Sequence, residues 1–434
     1  MCIEQIGGEV AAKHAKSADA RGEDRLSALP DDVLVLILLR LYTADAARTS
    51  VLSHRWRRIW TLLPELRFDA AQNPHFLRSA ISASEVPLHS LLVGTLDASP
   101  QSLAAWLPAA ATRVSGKLVL INLDQRSTTA GEEAEASQIE LPCFEKANAI
   151  GLELGFLGLS VPPAGVFARL IDLYLHGVQF HSPGELEDFV SSPRCPCLQK
   201  LSIRNVRGLD SITIDSGTLL LLRLDHLHGV RKVTVVAPVL KDLSLVDCFL
   251  TDRNQPVVNI SAPQLKFLNW VDAYDPSSIC LGSIERLQIF STFFFVYGLD
   301  GTAHNSAFLM LLPQFKAIEC LSLLLAYLPE QTACSSDCIC DQPTNWKTEE
   351  FSLNHLQELE IKGFGASEHE VAFVMRLLNW ATVLKMMTVI FSHSTTESKG
   401  KECFQMFQSF SRPGMCMKFY IYREFSKVPY APED

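Results

Sequence analysis

The stretch LQKLSIRNVRGLDSITIDSGTLLLLRLDHLHGVRKVTVVAPVLKDLSL, residues 198–245, decides the fold of this 434-residue chain. It repeats the spacing Leu-x-x-Leu-x-Leu in five apolar triplets: Leu198/Leu201/Ile203, Leu209/Ile212/Ile214, Leu219/Leu222/Leu224, Val230/Val233/Val235 and Leu240/Leu243/Leu245. Successive triplets start 11, 10, 11 and 10 residues apart, so alternate triplets recur every 21 residues. This regularity predicts a solenoid of stacked coils.

The period of 21 residues lies within the range of leucine-rich repeats. Both halves of the repeat alternate apolar and polar residues, which is typical of β-strands. We therefore expect each coil to hold one strand on its concave side and a short extended segment on its convex side. Weaker, less regular copies predict further coils at Leu170/Leu173/Leu175, Leu265/Leu268/Trp270, Ile284/Leu287/Ile289 and Ile318/Leu321/Leu323.

The region from Leu29 to Trp60 has helical patterns instead. We expect three short helices, within residues 33–41, 45–51 and 53–63. In the first, apolar residues extend around most of the circumference, whereas a surface helix needs one apolar stripe. A unit of about 40 residues cannot bury that much apolar surface, so either the repeats or another protein must cover it.

The same region resembles a known family, the F-box of plant type. The matching residues are LPDDVLVLIL at 29–38, Leu41, TSVLSHRWRRIW at 49–60 and the Leu-Pro pair at 63–64. The resemblance implies docking on a Skp-type adaptor and, through it, on a cullin scaffold. The adaptor contacts that it implies are Leu29, Pro30, Ile37, Leu38, Leu41, Val51 and Trp56. For Val51 and Trp56, a place in the core of the module is an equally good interpretation.

The C-terminal residues resemble the FBD region that closes many plant F-box proteins, on the strings LQELEIKGF at 356–364, HEV at 369–371 and ATVLKMM at 381–387. We expect strands at 356–361, 386–391 and 417–422 and a helix at 367–381, with Ser367 and Glu370 at capping-box spacing. The simplest role for this unit is a cap on the last coil, because open repeat ends expose core.

Together these features predict an α/β chain: an N-terminal three-helix F-box module, a leucine-rich-repeat solenoid and a small α/β FBD-like cap. The predicted boundaries are a disordered leader at 1–21, the F-box at 22–67, the solenoid at 68–330, a loop at 331–346, the FBD-like region at 347–425 and a tail at 426–434. An acidic, small-residue stretch at 128–138 should be a surface loop.

The resemblance implies the substrate-recognition subunit of an SCF-type E3 ubiquitin ligase, with the solenoid binding a protein target. Residues flanking the central apolar position of each strand should face outward. We expect the target on the coils from Asp242 to Phe290, at Asp242, Ser244, Val246, Phe267, Asn269, Val271, Arg286, Gln288 and Phe290. The alternative is that these side chains pack beneath the C-terminal unit.

Two other functions compete with this one. A leucine-rich scaffold with an F-box in a non-ligase assembly has the same sequence features. A DNA-binding helix-turn-helix is suggested by Arg55, Arg57 and Arg58. However, residues 22–67 contain seven Arg against six acids, and the whole chain has a net charge of −10, so we expect no nucleic-acid partner.

No catalytic or cofactor motif stands out, so we expect a non-enzymatic protein without a cofactor. Cys334, Cys338 and Cys340, with Cys320 upstream, lack the paired spacing of a zinc site, so we expect no metal. The first 25 residues lack the apolar core of a secretory signal, and no long apolar run predicts a membrane span. We therefore expect an intracellular protein, in the cytoplasm, the nucleus or both, without a membrane partner.

Overall fold

The computed structural model describes residues 26–124, 138–249, 256–295, 306–326 and 352–430, apart from residues 27, 72, 163, 228, 273, 316, 394, 424 and 425. The predicted loop at 128–138 falls outside this part of the chain except for its last residue. The chain divides into two compact units, Met1–Leu63 and Pro64–Asp434.

The described residues of the N-terminal unit form three helices, as predicted: α1 Asp31–Leu38, α2 Thr43–Arg48 and α3 Trp56–Ile59, with 3-10 turns at Thr49–Val51 and Trp60–Leu62. Pro30 precedes α1 in an extended conformation, and Asp31 and Asp32 occupy the first turn, where carboxylates favour a helix start. The third helix is a single turn, shorter than the sequence predicted.

The second unit is built around a main sheet of stacked strands. In the described residues its order is β1-β2-β3-β5-β6-β7-β9-β11-β13-β15-β16-β17-β18-β19-β20, with β4 paired to β5 at the side. These strands are β1 Glu65–Ala71, β2 Leu88–Thr95, β3 Val114–Asn122, β4 Gln138–Glu140, β5 Ala149–Ser160, β6 Asp172–Gln179, β7 Lys200–Arg204, β9 Leu221–Asp225, β11 Asp242–Val246, β13 Phe267–Val271, β15 Ile289–Phe295, β16 Cys320–Ala326, β17 Glu358–Phe364, β18 Met386–Phe391, β19 Cys416–Arg423 and β20 Ser426–Pro429.

A second sheet of four parallel strands has the order β14-β12-β10-β8, with β8 Ser211–Asp215, β10 Lys232–Val236, β12 Val257–Ser261 and β14 Ile279–Cys280. The helices in the described part of this unit are α4 Pro74–Ala83, α5 Pro100–Arg113, α6 Pro183–Val190, α7 Ser306–Leu311, α8 Glu368–Trp380 and α9 Glu397–Ser409, and a 3-10 turn follows α7 at Leu312–Gln314.

The two-strand coil that the half-period predicted is confirmed. Lys200 pairs with Leu221 and Leu221 with Asp242 in the main sheet, at intervals of 21 residues. Between them, Ser211 pairs with Lys232 in the second sheet. Each coil from β7 to β14 therefore contributes one strand to each sheet, and its aliphatic residues fill the space between them.

A left-handed corner follows the main-sheet strand in three successive coils. Asn205, His226 and Asp247 have φ values of 52°, 51° and 50°. Asn205 N–H donates to the Asp225 carbonyl at 2.9 Å, and His226 N–H donates to the Val246 carbonyl at 2.8 Å. Asn, Asp and His are the non-glycine residues found most often in this conformation. The corner directs the chain out of the main sheet at the same point of each coil.

The C-terminal residues continue the main sheet instead of forming a sheet of their own. Cys320 of β16 pairs with Glu358 of β17, and the parallel ladder runs on to β19. The predicted capping box of α8 is present: Ser367 Oγ accepts from Glu370 N–H at 3.3 Å and Glu370 Oε2 accepts from Ser367 N–H at 2.7 Å. Helix α9 was not predicted from the sequence.

The fully buried carboxyl of Asp272 binds the backbone of the coil that begins at β11. Its oxygens accept hydrogen bonds from the backbone N–H groups of Cys248 at 3.1 Å and Phe249 at 3.0 Å. Burial raises the pKa of this carboxyl to about 7, although the two hydrogen bonds act in the opposite direction. The folded chain therefore takes up a proton here at a pH where the unfolded chain does not.

We predict that this carboxyl makes stability depend on pH. Because its pKa in the folded chain lies above its usual value of 3.8, its stabilising contribution is full below about pH 4 and is lost as pH rises toward 7. The free energy of unfolding of the native chain, minus that of Asp272→Asn, should fall by about 1.4 kcal/mol per pH unit between pH 5 and 7. Urea titrations of both proteins at several pH values provide the measurement, and a difference that stays constant would contradict the prediction.

Candidate protein-interaction surfaces

The N-terminal unit exposes an apolar face to solvent. Val51 is 85% exposed, Leu52 64% and Leu36 63%. With Ile37 and Leu41, which are 40% and 41% exposed, they form what we call the apolar face of the N-terminal unit. Several large aliphatic side chains exposed on one small unit make it a candidate interaction site.

The structure divides the predicted adaptor contacts into two groups. Pro30, Ile37, Leu41 and Val51 are exposed and Leu29 is partly exposed, so their contact with an adaptor stays a prediction. Leu38 and Trp56, in contrast, are 1% and 5% exposed.

The burial of Trp56 agrees with its interpretation as a core residue, whereas Leu38, predicted only as an adaptor contact, is also buried. Helix α1 packs on α3 and on the turn after it, and Leu38 and Trp56 are buried together with Leu34 and Ile59. Their side chains support the unit and are not available to a partner. Leu36 and Leu52 are exposed candidates that were not predicted from the sequence. For Leu36 the reason is that α1 is apolar on every side, so the pattern does not show which side faces inward.

Arg55 fixes the corner before α1. Its guanidinium donates to the Leu29 carbonyl at 2.5 Å and to Asp31 Oδ1 at 2.8 Å through Nε. The pair is partly exposed, so its ionic contribution to stability is small, but it holds the Leu-Pro corner against α3. This geometry also argues against the DNA-binding alternative, because α3 is four residues long and the arginine before it is engaged within the unit.

The outer face of the main sheet is a second candidate surface. It consists of the first, third and fifth residues of each strand, which alternate with buried residues. On β6 to β9 it carries a mixed set of charges: Asp172, Lys200, Arg204, Arg223 and Asp225. Burial raises the pKa of Asp225, and it also raises that of the neighbouring Tyr174 hydroxyl.

Six of the nine predicted target-binding residues lie on this outer face. They are Asp242, Ser244 and Val246 on β11 and Phe267, Asn269 and Val271 on β13. The two strands pair in register, and Asn269 Nδ2 donates to Ser244 Oγ at 3.0 Å. The C-terminal strands extend the sheet beyond β16, at the side of these coils. Binding of a target to these residues stays a prediction.

The predicted register of β15 is wrong by three residues, so the other three residues do not take the places on the outer face that the sequence predicted for them. Phe267 pairs with Ile289 and Leu268 with Phe290, so Phe290 is fully buried and Ile289 faces outward. Arg286 and Gln288 lie before the strand, where Arg286 donates to Gln264 Oε1 at 3.0 Å. A shift by an odd number of residues moves every side chain to the opposite face of the strand.

Within the described ranges, no cluster of three His, Cys, Asp or Glu side chains could hold a metal ion. Cys334, Cys338 and Cys340 lie outside those ranges. Cys320 lies in β16, where burial raises the pKa of its thiol to about 11. No helix in the described part of the chain is long and apolar enough to cross a membrane.

We predict opposite effects for two neighbouring leucines of α1. Leu38→Ala should remove a buried side chain and destabilise α1 by about 2–5 kcal/mol. Leu36→Ala, on the exposed side, should change stability by less than about 0.5 kcal/mol. Hydrogen exchange of the α1 amides in the full chain measures both changes, and equal loss of protection in the two variants would contradict the assigned orientation of α1.

Two protein-family models match this chain, one mainly in the N-terminal unit and one in the second unit. The F-box domain model matches residues 26–68, and the model of the LRR repeats of FBD-associated F-box protein At5g56370 matches residues 103–294. The first match covers the described helices with their exposed apolar face. The second covers the coils from α5 to β15.

Similar curated proteins come from Arabidopsis thaliana. The putative F-box/FBD/LRR-repeat protein At4g03220 is 24% identical over 84% of this chain and 89% of its own length. F-box/FBD/LRR-repeat protein At2g04230 is 31% identical over 52% of this chain and 54% of its own length. Putative F-box protein At1g67390 is 53% identical over 62 residues. This chain therefore contains a segment that matches the F-box domain, followed by repeats that match those of an FBD-associated F-box protein, and it is similar in sequence to F-box/FBD/LRR-repeat proteins.

Proposed function

We propose that this chain is the substrate-recognition subunit of an SCF-type E3 ubiquitin ligase. In this proposal the N-terminal unit docks on a Skp-type adaptor, which connects it to a cullin scaffold, and the repeat region binds a protein target. The observation that carries the proposal is the exposed apolar face of the N-terminal unit, in the segment that matches the F-box.

The energetics of that face support docking. Burial of one exposed aliphatic side chain contributes roughly 1.5–3 kcal/mol, so the side chains of Leu36, Val51 and Leu52 could supply much of the affinity for an adaptor. The buried residues beneath them form a separate set, so the face can bind a partner while the core stays packed. The Leu29-Pro30 corner, held by Arg55, would enter the same interface.

The proposal assigns no catalytic step to this chain. Its contribution would be to bring a target close to the ubiquitin-conjugating enzyme, so that the effective concentration of the target rises without new chemistry. A leucine-rich scaffold in a non-ligase assembly would use the same two surfaces. Transfer of ubiquitin to a bound protein separates these two functions.

We predict that Ile37→Ser combined with Val51→Ser weakens binding to a Skp-type adaptor at least ten-fold, because two apolar contacts would be lost from the interface. The control is Val166→Ser combined with Val383→Ser, which removes two exposed apolar side chains, 44% exposed each, from the other unit. Calorimetric titration of each purified full-length chain with the adaptor measures the affinities.

One outcome tests docking through the apolar face, and another tests whether the assembly is a ubiquitin ligase. Undiminished adaptor binding by the Ile37/Val51 variant would contradict docking through the apolar face. Adaptor binding without recruitment of a cullin, or without ubiquitin transfer in the reconstituted complex, would favour the non-ligase scaffold.

A further inference from the structure

The outer face of the main sheet carries only uncharged residues on β13, β15 and β16. On β13, β15 and β16 its nine positions are Phe267, Asn269, Val271, Ile289, Ser291, Phe293, Cys320, Ser322 and Leu324. All nine are uncharged. Charged residues lie on both sides of this segment: Asp242 on β11 and Arg223 and Asp225 on β9 at one end, and Glu358, Glu360 and Lys362 on β17 at the other.

The apolar residues of this segment form two rails along the solenoid. The first rail, at the start of the strands, contains Phe267 and Ile289, and Ile289 is 37% exposed. The second rail, at the end of the strands, contains Val246, Val271 and Leu324, and Leu324 is 49% exposed. Phe293 lies between Val271 and Leu324 and is 5% exposed.

Small polar residues form the floor between the rails. Ser244, Asn269, Ser291 and Ser322 occupy the middle position of four successive strands. Their hydrogen bonds run within the floor, from Asn269 to Ser244, and from Ser322 to Glu360 at 3.1 Å on the next strand. We call this arrangement of floor and rails the outer-face groove.

The spacing between the backbone positions of the two rails is close to the diameter of one α-helix. The rails are separated by four residues along each strand, which is about 13 Å at about 3.3 Å per residue. An α-helix with its side chains is about 10–12 Å across. Four strands at spacings of about 4.8 Å extend over about 14 Å, which corresponds to about ten residues of helix.

The backbone of the sheet favours a helix over an extended peptide. The strands of the groove are paired on both sides, so they offer no free edge for an added strand. An extended segment buried on this face would leave its own N–H and C=O groups without partners, whereas a helix satisfies them internally. The uncharged floor with charged ends also complements a helix that is apolar in the middle and charged at its ends.

We propose that the outer-face groove binds an amphipathic helix of the protein target, about three turns long, between the Phe267–Ile289 rail and the Val246–Val271–Leu324 rail. The inference rests on the proposed function, in which the repeat region binds the target. Contact would be made by apolar side chains on two sides of the helix and by small residues facing the floor.

The test uses the full chain co-expressed with a Skp-type adaptor and two peptide libraries. The first contains hydrocarbon-stapled 14-residue helices with varied apolar positions. The second has the same compositions but carries a central proline, which breaks the helix. We expect only the stapled library to yield binding peptides. Their affinity, measured by fluorescence anisotropy, should fall at least ten-fold with Ile289→Ser and with Phe267→Ser.

A matched control lies on the second sheet. Val236→Ser replaces a strand residue of comparable exposure, 42%, outside the groove, and should leave peptide affinity unchanged. Thermal unfolding of each variant checks that the coils remain folded. Failure of the stapled library, equal binding by the proline library, or binding insensitive to Ile289→Ser would each overturn the proposal. Adaptor binding in the same samples is a separate readout, so its loss would count against the proposed function instead.

Discussion

Parallel pairing in register is the constraint on which the rest of the structure depends. Leu201, Leu222, Leu243 and Leu268 occupy equivalent positions on four successive strands and are fully buried, so each coil fixes the position of the next. With the inward residues fixed, the alternation along each strand also fixes which residues face outward. The outer-face groove is therefore a consequence of core packing. Its floor and rails follow from the same ladder that holds the coils together.

Much of this fold could be predicted from the regular coils. The triplets from Leu198 to Leu245 identify both sheets, because only aliphatic residues at those positions can stack between them. The predicted register was wrong at β15, because residues 289–296 are almost continuously apolar and every alignment places apolar side chains inward. The observed alignment buries Phe290 against Phe315, with ring centroids 4.9 Å apart, and this contact is not visible in the spacing.

The N-terminal unit shows a similar limit. The motif predicted its helices and its family, but α1 is apolar all round, so the sequence could not separate Leu38 from Leu36. The packing of α1 on α3 makes that distinction. The left-handed corners are a signal that the sequence does contain: Asn205, His226 and Asp247 recur at 21-residue intervals two residues after the last buried position of each strand. A search for polar residues at the repeat period would have found them.

The last strand of the main sheet determines how the stack of coils ends. Strand β20 runs antiparallel to β19, with Ser426 opposite Arg423 and Pro429 opposite Tyr420. A parallel edge left bare would offer a row of hydrogen-bonding groups to the first strand of another molecule, which is the usual beginning of a fibre. The short returning strand has the opposite direction, a proline without an N–H group and the charge of Lys427. These features disfavour pairing of this edge with a strand of another molecule.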